Sequence, residues 1–444
     1  MTASVKIRIS WTDDNVITEG VRIYKSDEEF DVSTKPPPLV ELTDGELFYE
    51  DFDVEEGQTI CYMLSCFLGD QEVFTECFKV EVKTGMWLKT SAFLQKLQQQ
   101  AKDFHSLTGS AARSFNTGGA SLKFSGAVLA PNGKIYCVPF GAADILIIDP
   151  IANTVSNMGA SLSGSEKWQG GVLAPNGKIY CVPFSAADIL IIDPVANTAT
   201  RSNMGVSLSG SVKWQGGVLA PDGKIYCVPA NASNILIIDP VANTATRSNM
   251  GVSLSGSEKW QGGVLGVDGK IYCVPVNATD ILIIDPETNT ATRSNMGASL
   301  SGNYKWQGGV LGVDGKIYCV PVNATDILII DPETNTATRS NMGASLSGSS
   351  KWQGGVLGVD GKIYCVPFSS DNILIIDPIE GTATRSSMGA GLSDGLKWAG
   401  GVLAENGKIY CSAYNSVDVL IISADASVPN FNLGFCLSPH INKF

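Results

Sequence analysis

Short apolar runs recur along most of the chain and are separated by turn-forming residues. In one copy, the runs Gly216–Leu219 and Lys224–Val228 flank Asp222 and Gly223. Asn-Gly and Asp-Gly pairs are the strongest short-range signal for a β-hairpin, because both turn residues take positive φ. We therefore expect a hairpin at each of the seven such pairs, which begin at Asn132, Asn176, Asp222, Asp268, Asp314, Asp360 and Asn406.

The second half of each copy predicts two further strands. Ile235–Ile238 is an aliphatic, largely β-branched run that ends at Asp239-Pro240, and an Asp-Pro pair stops a strand and starts a turn. Thr244–Arg247 is a more polar run that predicts the fourth strand. We interpret each such Asp as a cap on a backbone amide and not as a calcium ligand, because no D-x-D-x-D spacing accompanies it. Four strands in about 46 residues match one blade of a β-propeller.

Seven of the eleven cysteines mark the period of the repeat. Consecutive members are separated by 44, 46, 46, 46, 46 and 46 residues, and residues 261–302 are identical to residues 307–348. One four-stranded blade cannot bury both faces alone, so seven copies predict a closed seven-bladed ring. Thiols that repeat once per blade lie too far apart for disulfides, so we expect small buried side chains in a reducing compartment. The seven are Cys137, Cys181, Cys227, Cys273, Cys319, Cys365 and Cys411.

The repeat also resembles known propeller families. The string Pro221–Tyr226, with the later Ile-Ile-Asp-Pro and Asn-Thr, resembles YVTN and NHL repeats over roughly residues 112–433. This resemblance implies an architecture and no particular activity. The repeats leave one outer strand to be supplied from elsewhere, and Ala112–Asn116 resembles the Thr-Arg-Ser-Asn outer strand. We predict that this segment closes the ring, with residues 427–433 as the alternative.

The first part of the chain predicts a separate, acidic β-sandwich. Residues 1–84 hold 19 Asp and Glu against 7 Lys and Arg, whereas residues 85–444 hold 25 against 24. An acidic module repels nucleic acid and the remainder offers no basic field, so we expect no nucleic-acid binding. Six short runs predict strands: Val5–Trp11, Val21–Lys25, Leu39–Leu42, Leu47–Phe52, Thr59–Phe67 and Val73–Val82.

This acidic segment resembles fibronectin type III domains. The resemblance rests on Ile9–Trp11, Val21–Ser26, Phe48–Asp51 and Gly57 before Tyr62. The string Ile-Tyr-Lys-Ser-Asp followed by a Pro-rich stretch, here Pro36-Pro37-Pro38, is similar to the version common in tailed-phage structural proteins. The resemblance implies a component of a virus particle.

Three segments follow from these patterns. We predict an all-β chain with a fibronectin type III-like sandwich at residues 1–85, a linker with a short helix at 86–111 and the propeller at 112–444. Apolar residues at helical spacing within residues 91–105 indicate the linker helix. No run approaches the roughly 18 apolar residues that span a bilayer, and no signal peptide is visible, so we expect no membrane insertion.

Catalytic chemistry finds little support in the sequence. The two histidines, His105 and His440, lie outside the repeats, and no H-E-x-x-H, Walker A or G-x-G-x-x-G motif is present. The presumed innermost strand reads Gly-Gly-Val-Leu in nearly every copy, which predicts a symmetric channel of glycine and aliphatic residues. We therefore expect no catalytic residue, no metal and no cofactor.

A repeated Lys-Trp pair is the candidate binding feature. A crown of these residues on the face that carries the loops around Asn231, Asn277 and Asn323 could stack sugars. The alternative is packing, in which each indole lies between blades while its lysine extends to solvent or pairs with Asp188, Asp280 or Asp326. The candidate residues are Lys167, Trp168, Lys213, Trp214, Lys259, Trp260, Lys305, Trp306, Lys351, Trp352, Lys397 and Trp398, with Lys123 and Phe124 in the first copy.

The resemblance of the first segment to tailed-phage domains implies a non-enzymatic structural protein of a tailed-phage virion, such as a tail, fibre or decoration component. The sandwich would anchor to the particle, and the propeller would act as an outward binding or spacing module. Expected partners are other virion proteins, in a multi-copy assembly formed in the host cytoplasm, with a host cell-surface glycan as a further candidate. The alternatives are a soluble lectin-like propeller and, less favoured, a propeller lactonase with a metal in its channel.

Overall fold

The computed structural model describes residues 7–10, 20–42, 48–51, 58–68, 71–75, 77–81, 109–118 and 121–424. The chain divides into two compact units, Met1–Lys102 and Asp103–Phe444. Every regular element in the described ranges is a β-strand. Within them, no helix has the length and apolar character needed to cross a bilayer. The predicted linker helix and the alternative closing segment, residues 427–433, lie outside the described residues.

The first unit contains two antiparallel sheets. One pairs β1 with β4, and the other has the order β3-β2-β5-β6, with β7 also pairing β5. The predicted strand Val73–Val82 is divided into β6 and β7. The strands are β1 (Ile7–Ser10), β2 (Gly20–Ser26), β3 (Val40–Leu42), β4 (Phe48–Asp51), β5 (Thr59–Leu68), β6 (Gln71–Phe74) and β7 (Phe78–Glu81).

A buried carboxylate joins these two sheets. Asp51, at the end of β4, is 1% exposed. It accepts a hydrogen bond of 2.6 Å from the Tyr62 hydroxyl on β5 and lies 2.9 Å from the Lys25 ammonium on β2. A buried carboxylate is tolerable only when it is paired and hydrogen-bonded in this way, so the contact fixes the two sheets together.

The second unit contains seven four-stranded antiparallel sheets, the blades. It begins with β8 (Ser110–Asn116), which belongs to the last blade. Blade 1 is β9 (Phe124–Leu129), β10 (Ile135–Pro139), β11 (Leu146–Asp149) and β12 (Thr154–Asn157). Blade 2 is β13 (Trp168–Leu173), β14 (Ile179–Pro183), β15 (Ile189–Asp193) and β16 (Thr198–Ser202). Blade 3 is β17 (Trp214–Leu219), β18 (Ile225–Pro229), β19 (Ile235–Asp239) and β20 (Thr244–Ser248).

The remaining blades repeat this plan. Blades 4 to 7 are β21 (Trp260–Leu265), β22 (Ile271–Pro275), β23 (Ile281–Asp285) and β24 (Thr290–Ser294); β25 (Trp306–Leu311), β26 (Ile317–Pro321), β27 (Ile327–Asp331) and β28 (Thr336–Ser340); β29 (Trp352–Leu357), β30 (Ile363–Pro367), β31 (Ile373–Asp377) and β32 (Thr382–Ser386); β33 (Trp398–Leu403), β34 (Lys408–Ala413) and β35 (Asp418–Ser423), completed by β8. Each first strand contacts the first strand of the next blade, and β33 contacts β9. The ring is therefore closed, as a β-propeller requires.

The predicted closure by the segment before the first repeat is confirmed. Strand β8 pairs with β35 in antiparallel register, with Ala112 opposite Ile421. The Arg113 guanidinium bonds to Asp418 at 2.9 Å and lies 5.5 Å from the centre of the Trp398 ring. Arg293 forms the same contacts with residues of its own blade. The segment thus reproduces the outer strand of an ordinary repeat from the other end of the propeller sequence.

The hairpin between the first two strands of each blade is confirmed, but its predicted turn type is wrong. Only the glycine takes positive φ, 78° at Gly223, and Asp222 does not. Gly223 N–H donates to the Ala220 carbonyl at 3.0 Å, and Ala220 N–H donates to the Lys224 carbonyl at 2.9 Å. This pattern is a type I turn followed by a left-handed residue. Pro221 favours it, because its ring fixes φ at a negative value.

The Asp-Pro turns and the repeated cysteines follow the predictions. The Asp239 carboxylate accepts backbone N–H bonds from Val241 at 3.0 Å and Ala242 at 2.8 Å, which is the expected cap. All seven repeated thiols are free and fully buried. Burial raises the pKa of the Cys137 thiol to about 12, so these side chains are uncharged packing groups.

Candidate functional site

The tryptophans of the Lys-Trp pairs are core residues. All six indoles have no exposed surface, and each packs between its own blade and the preceding one. The Trp260 indole N–H also donates to the Asp280 carbonyl at 2.8 Å, and the other five make the equivalent bond. The exposed aromatic crown that the sequence suggests is therefore absent from the described residues. The packing alternative describes where these indoles lie.

The lysines of the pairs are buried between blades. The Lys305 ammonium donates to three backbone carbonyls, those of Val276 at 2.9 Å, Ala278 at 3.0 Å and Gly302 at 2.8 Å. Burial lowers the pKa of Lys305 to about 8, with a smaller contribution from Arg339. The three carbonyl oxygens oppose this effect, because they stabilise the charged form.

Two expectations for these lysines are wrong. They do not extend to solvent, since all seven are at most 4% exposed. They do not pair with Asp188, Asp280 or Asp326, because those carboxylates bind Arg201, Arg293 and Arg339. In each of these blades the arginine of the outer strand binds the carboxylate. The lysine instead donates hydrogen bonds to backbone carbonyls, including those of the neighbouring blade.

The backbone at these lysines forms a hydrogen-bonded circuit around the propeller axis. Lys305 N–H donates to the Val276 carbonyl of blade 4, and the Val322 N–H of its own blade donates back to the Lys305 carbonyl. The same alternation passes through all seven blades and is completed where Lys123 N–H donates to the Tyr414 carbonyl at 2.8 Å. The circuit fixes the positions of the residues that follow each second strand.

Those residues form a collar at the end of the propeller where the inner strands begin. Four neighbouring blades supply aromatic side chains and the other three supply small ones. The aromatic rings contact one another in sequence, with centroids 5.4 to 5.8 Å apart. Phe368 and Tyr414 are partly exposed. The collar is Phe140, Phe184, Ala230, Val276, Val322, Phe368 and Tyr414.

The axial channel is lined by glycines and carboxamides. A Cβ added to Gly262 would lie 2.9 Å from the Gly308 Cα, so only glycine permits the inner strands to approach this closely. The lining residues are Ser125, Gly126, Gln169, Gly170, Gly216, Gln261, Gly262, Gln307, Gly308, Gln353, Gly354, Ala399 and Gly400. The space that they enclose, including its opening to solvent, is about 390 Å³.

The prediction of a symmetric glycine and aliphatic channel is thus correct only for glycine. Polar carboxamides replace the aliphatic groups, because the β-bulge after each Trp turns the following Gln and Gly toward the axis. The collar adds asymmetry, with aromatic residues on blades 6, 7, 1 and 2 only. A Gln that stands between Trp and Gly-Gly in five copies was the available sequence signal.

A rim of variable residues surrounds this end of the channel. The residue before each lysine has a left-handed backbone, with φ between 46° and 54°. Residues 257–302 and 303–348 differ only at their first two positions, so Glu258 in one blade becomes Tyr304 in the next. The Tyr304 hydroxyl donates to the Glu258 carboxylate. The rim is Leu122, Glu166, Val212, Glu258, Tyr304, Ser350 and Leu396.

The chemistry available at this end is hydrogen bonding and aromatic packing. The channel offers carboxamide and hydroxyl groups, and the collar offers phenyl and phenol rings. In the part of the chain that the structure describes, no group of three or more His, Cys, Asp and Glu residues could hold a metal ion. The site is equipped to bind a ligand through neutral groups.

Comparisons with known proteins support the fold and do not identify an activity. No protein-family model matches the chain, and no curated protein matches it in sequence. Streptogramin B lyase is similar in structure, with a TM-score of 0.58 and 15% identity over 71% of this chain and 97% of that chain. A catalytically inactive virginiamycin B lyase from Staphylococcus aureus with quinupristin gives 0.59 and 13% identity over 71% and 99%.

A third similar structure is hydrazine synthase from Kuenenia stuttgartiensis. Its TM-score is 0.53 and its identity 13%, over 70% of this chain and 99% of that chain. Identities this low establish a shared fold alone. The chain is a β-propeller protein with a second, N-terminal β-sheet unit.

Proposed function

We propose that the chain is a non-enzymatic structural and binding component of a tailed-phage virion. The N-terminal unit attaches to the particle, and the propeller is the outward module. The observation that carries the proposal is the strand pairing of the N-terminal unit: β1 with β4, and β3-β2-β5-β7 in the second sheet. Among the described residues this pairing matches the order of a fibronectin type III sandwich without its first strand, and the match supports the proposed relation to phage structural domains.

The charge distribution supports the division of labour between the two units. Residues 1–84 carry a net charge of −12 and residues 85–444 carry −1, from 19 acidic against 7 basic and 25 against 24 residues. An acidic unit is suited to docking on a basic protein surface of a particle, whereas a nearly neutral propeller approaches a cell surface without strong repulsion.

The propeller supports a non-catalytic role. Its thiols, indoles and lysine ammonium groups are buried in blade interfaces, where they stabilise the ring and do not reach a substrate. The described channel residues carry no acid, base or thiol. No observation in the described residues favours the lactonase alternative.

Quantitative mass spectrometry of particles purified on a density gradient tests the proposal. A fixed ratio of this chain to the major capsid protein is the expected result. A chain that lacks residues 1–85 should be lost from the particles, because it lacks the attaching unit. Absence of the full-length chain from purified particles would overturn the virion assignment.

A soluble lectin-like propeller is the second candidate. The observation that favours it is the presence of partly exposed aromatic rings and channel carboxamides at one end of the axis. In this case the chain would be recovered from the soluble fraction, free of particles, and would bind its ligand there. The Lys-Trp residues would not contact that ligand, because they are buried.

A further inference from the structure

The aromatic part of the collar and the channel carboxamides lie at the same end of the axis. Each inner strand begins with Trp and continues with Gln, so Gln353 follows Trp352 directly. Phe368 pairs with Lys351, the residue before that Trp, through its backbone N–H at 2.9 Å. The backbone of Phe368 therefore lies beside the start of the inner strand that carries Gln353.

Tyr414 contacts two aromatic neighbours in the collar. Its ring contacts Phe140 at 5.8 Å and Phe368 at 5.4 Å between centroids. Burial, with a smaller contribution from the Glu166 carboxylate, raises the pKa of the Tyr414 hydroxyl to about 12. The Tyr414 hydroxyl has no hydrogen-bond partner among the described residues.

The channel carboxamides are likewise without protein partners. The described residues make no hydrogen bond to the side chains of Gln169, Gln261, Gln307 or Gln353, which are only partly exposed. Each carboxamide offers two donor hydrogens and an acceptor oxygen. Because polar groups in protein interiors are normally hydrogen-bonded, these groups are available to water or to a ligand.

We propose that this end of the channel binds one neutral saccharide residue, packed on Tyr414 and Phe368 and hydrogen-bonded by Gln307 and Gln353. Aromatic faces pack on the C–H surface of a sugar ring, and carboxamides donate to and accept from adjacent hydroxyls. The described lining carries no charge, which argues against an acidic sugar. The cost of removing the carboxylate of such a sugar from water would not be offset by an opposite charge in that lining. The inference rests on the proposed binding role of the propeller and names its ligand class.

The arrangement also sets the number of sites. The propeller has one axis, and the collar and the channel carboxamides lie at one end of it. One site per chain is expected. A crown of Lys-Trp pairs would instead have given several equivalent sites.

Saturation-transfer NMR and titration calorimetry on the full chain test the inference, with glucose, galactose, mannose and N-acetylglucosamine as probes and N-acetylneuraminic acid as the charged comparison. At least one neutral sugar should bind saturably at one site per chain. Tyr414→Leu and Gln307→Glu should each weaken that binding about tenfold or more, the loss expected for one good contact. Tyr304→Leu, which alters an exposed rim tyrosine, is the matched control and should bind normally.

Two outcomes would overturn the inference. One is a folded wild-type chain that saturates with none of the neutral sugars; the other is binding that survives in both Tyr414→Leu and Gln307→Glu. Because the two substitutions lie on different blades, unfolding of one variant leaves the other informative. Sugar binding by a chain that is absent from particles would reject the virion assignment alone, and a particle component without sugar binding would reject this site alone.

Discussion

At the scale of single residues, two glycines of one repeat share a backbone conformation but differ in their surroundings. Gly262 has φ 75° and Gly269 has φ 78°. A Cβ on Gly262 would lie 2.9 Å from the Gly308 Cα of the next blade, whereas a Cβ on Gly269 would meet nothing within 4 Å. The first glycine is required by the approach of two blades, and the second only by its turn.

The pair gives a prediction with an internal control. Gly269→Ala should cost only the left-handed strain, about 1 kcal/mol of the free energy of unfolding. Gly262→Ala should cost about 2–4 kcal/mol, because overpacking of the inner strands adds to the same strain. Urea denaturation followed by tryptophan fluorescence measures both values. Equal losses would show that the glycine ring does not limit the approach of the blades.

At the scale of elements, the ring depends on a strand from outside the seven repeats. Strand β8 supplies the outer edge of blade 7, and Arg113 binds both Asp418 at 2.9 Å and Asp394 at 3.0 Å. In every other blade the outer strand is continuous with the strand that it pairs. In blade 7 only side-chain and backbone contacts hold the outer strand β8 to β35. In the other blades a short connecting turn also joins the outer strand to its neighbour.

Deletion of residues 109–118 should lower the melting temperature by about 10 °C or more, since it uncovers the edge of β35 and opens the ring. A milder comparison uses Arg113→Ala and Arg385→Ala, which both remove a guanidinium from above a tryptophan. Differential scanning calorimetry should show the larger decrease for Arg113→Ala. An unchanged melting temperature after the deletion would refute closure by β8.

Elements were predictable where the information is local. The Asp-Gly pairs, the Ile-Leu-Ile-Ile runs and the outer-strand likeness of Ala112–Asn116 each identify a strand or turn within a few residues. The turn type was missed because the residue in front of the Asp-Gly pair joins the loop and lengthens it to three residues, whether that residue is Pro221 or Val267. The Asp-Gly dipeptide alone does not report which residue stands in front of it.

At the scale of the whole molecule, the blades place two sets of titratable groups in blade interfaces. Burial lowers the pKa of Lys167, Lys213, Lys259, Lys305 and Lys351 to about 8 from 10.5. Burial raises the pKa of the seven repeated thiols from 9.0, to about 12 for Cys137. The two sets therefore change the free energy of unfolding in opposite directions as pH rises: the lysines increase it and the thiols decrease it.

The expected result is a stability maximum near about pH 9. Between about pH 8 and 10.5 the unfolded chain holds lysine protons that the folded chain has released, so the lysine contribution to the free energy of unfolding rises with pH. Above about pH 9 the unfolded chain ionises thiols that stay protonated when folded, so the thiol contribution falls with pH and comes to outweigh the lysine contribution.

Urea denaturation under reducing conditions, in steps from about pH 7 to about pH 10.5, measures this dependence. Lys305→Met should reduce the rise below pH 9, since one of the shifted lysines is lost. The partly exposed Lys224 of the hairpin provides the control substitution Lys224→Met, which should leave the shape of the curve unchanged. A steady decline from pH 7 would contradict the assigned lysine shifts.

The candidate site was less predictable than the ring, because it is formed between blades. The Lys-Trp pairs were visible in the sequence, but their burial depends on the neighbouring blade. It also depends on outer-strand arginines such as Arg293, which bind the carboxylates that the lysines were expected to pair with. The collar depends on one position after each second strand, which is Phe, Ala, Val or Tyr in different copies. Only the closed circuit of Lys and collar residues brings these positions around one axis.

The variable rim has a genetic consequence. Two neighbouring repeats are identical except at their first two residues, which place Glu258 and Tyr304 on the rim. Gene conversion between such copies would exchange rim residues while leaving every strand, buried lysine and glycine of the ring in place. Gain or loss of a whole 46-residue copy would instead change the number of blades. The repeated DNA can thus diversify the surface of the propeller without altering its fold.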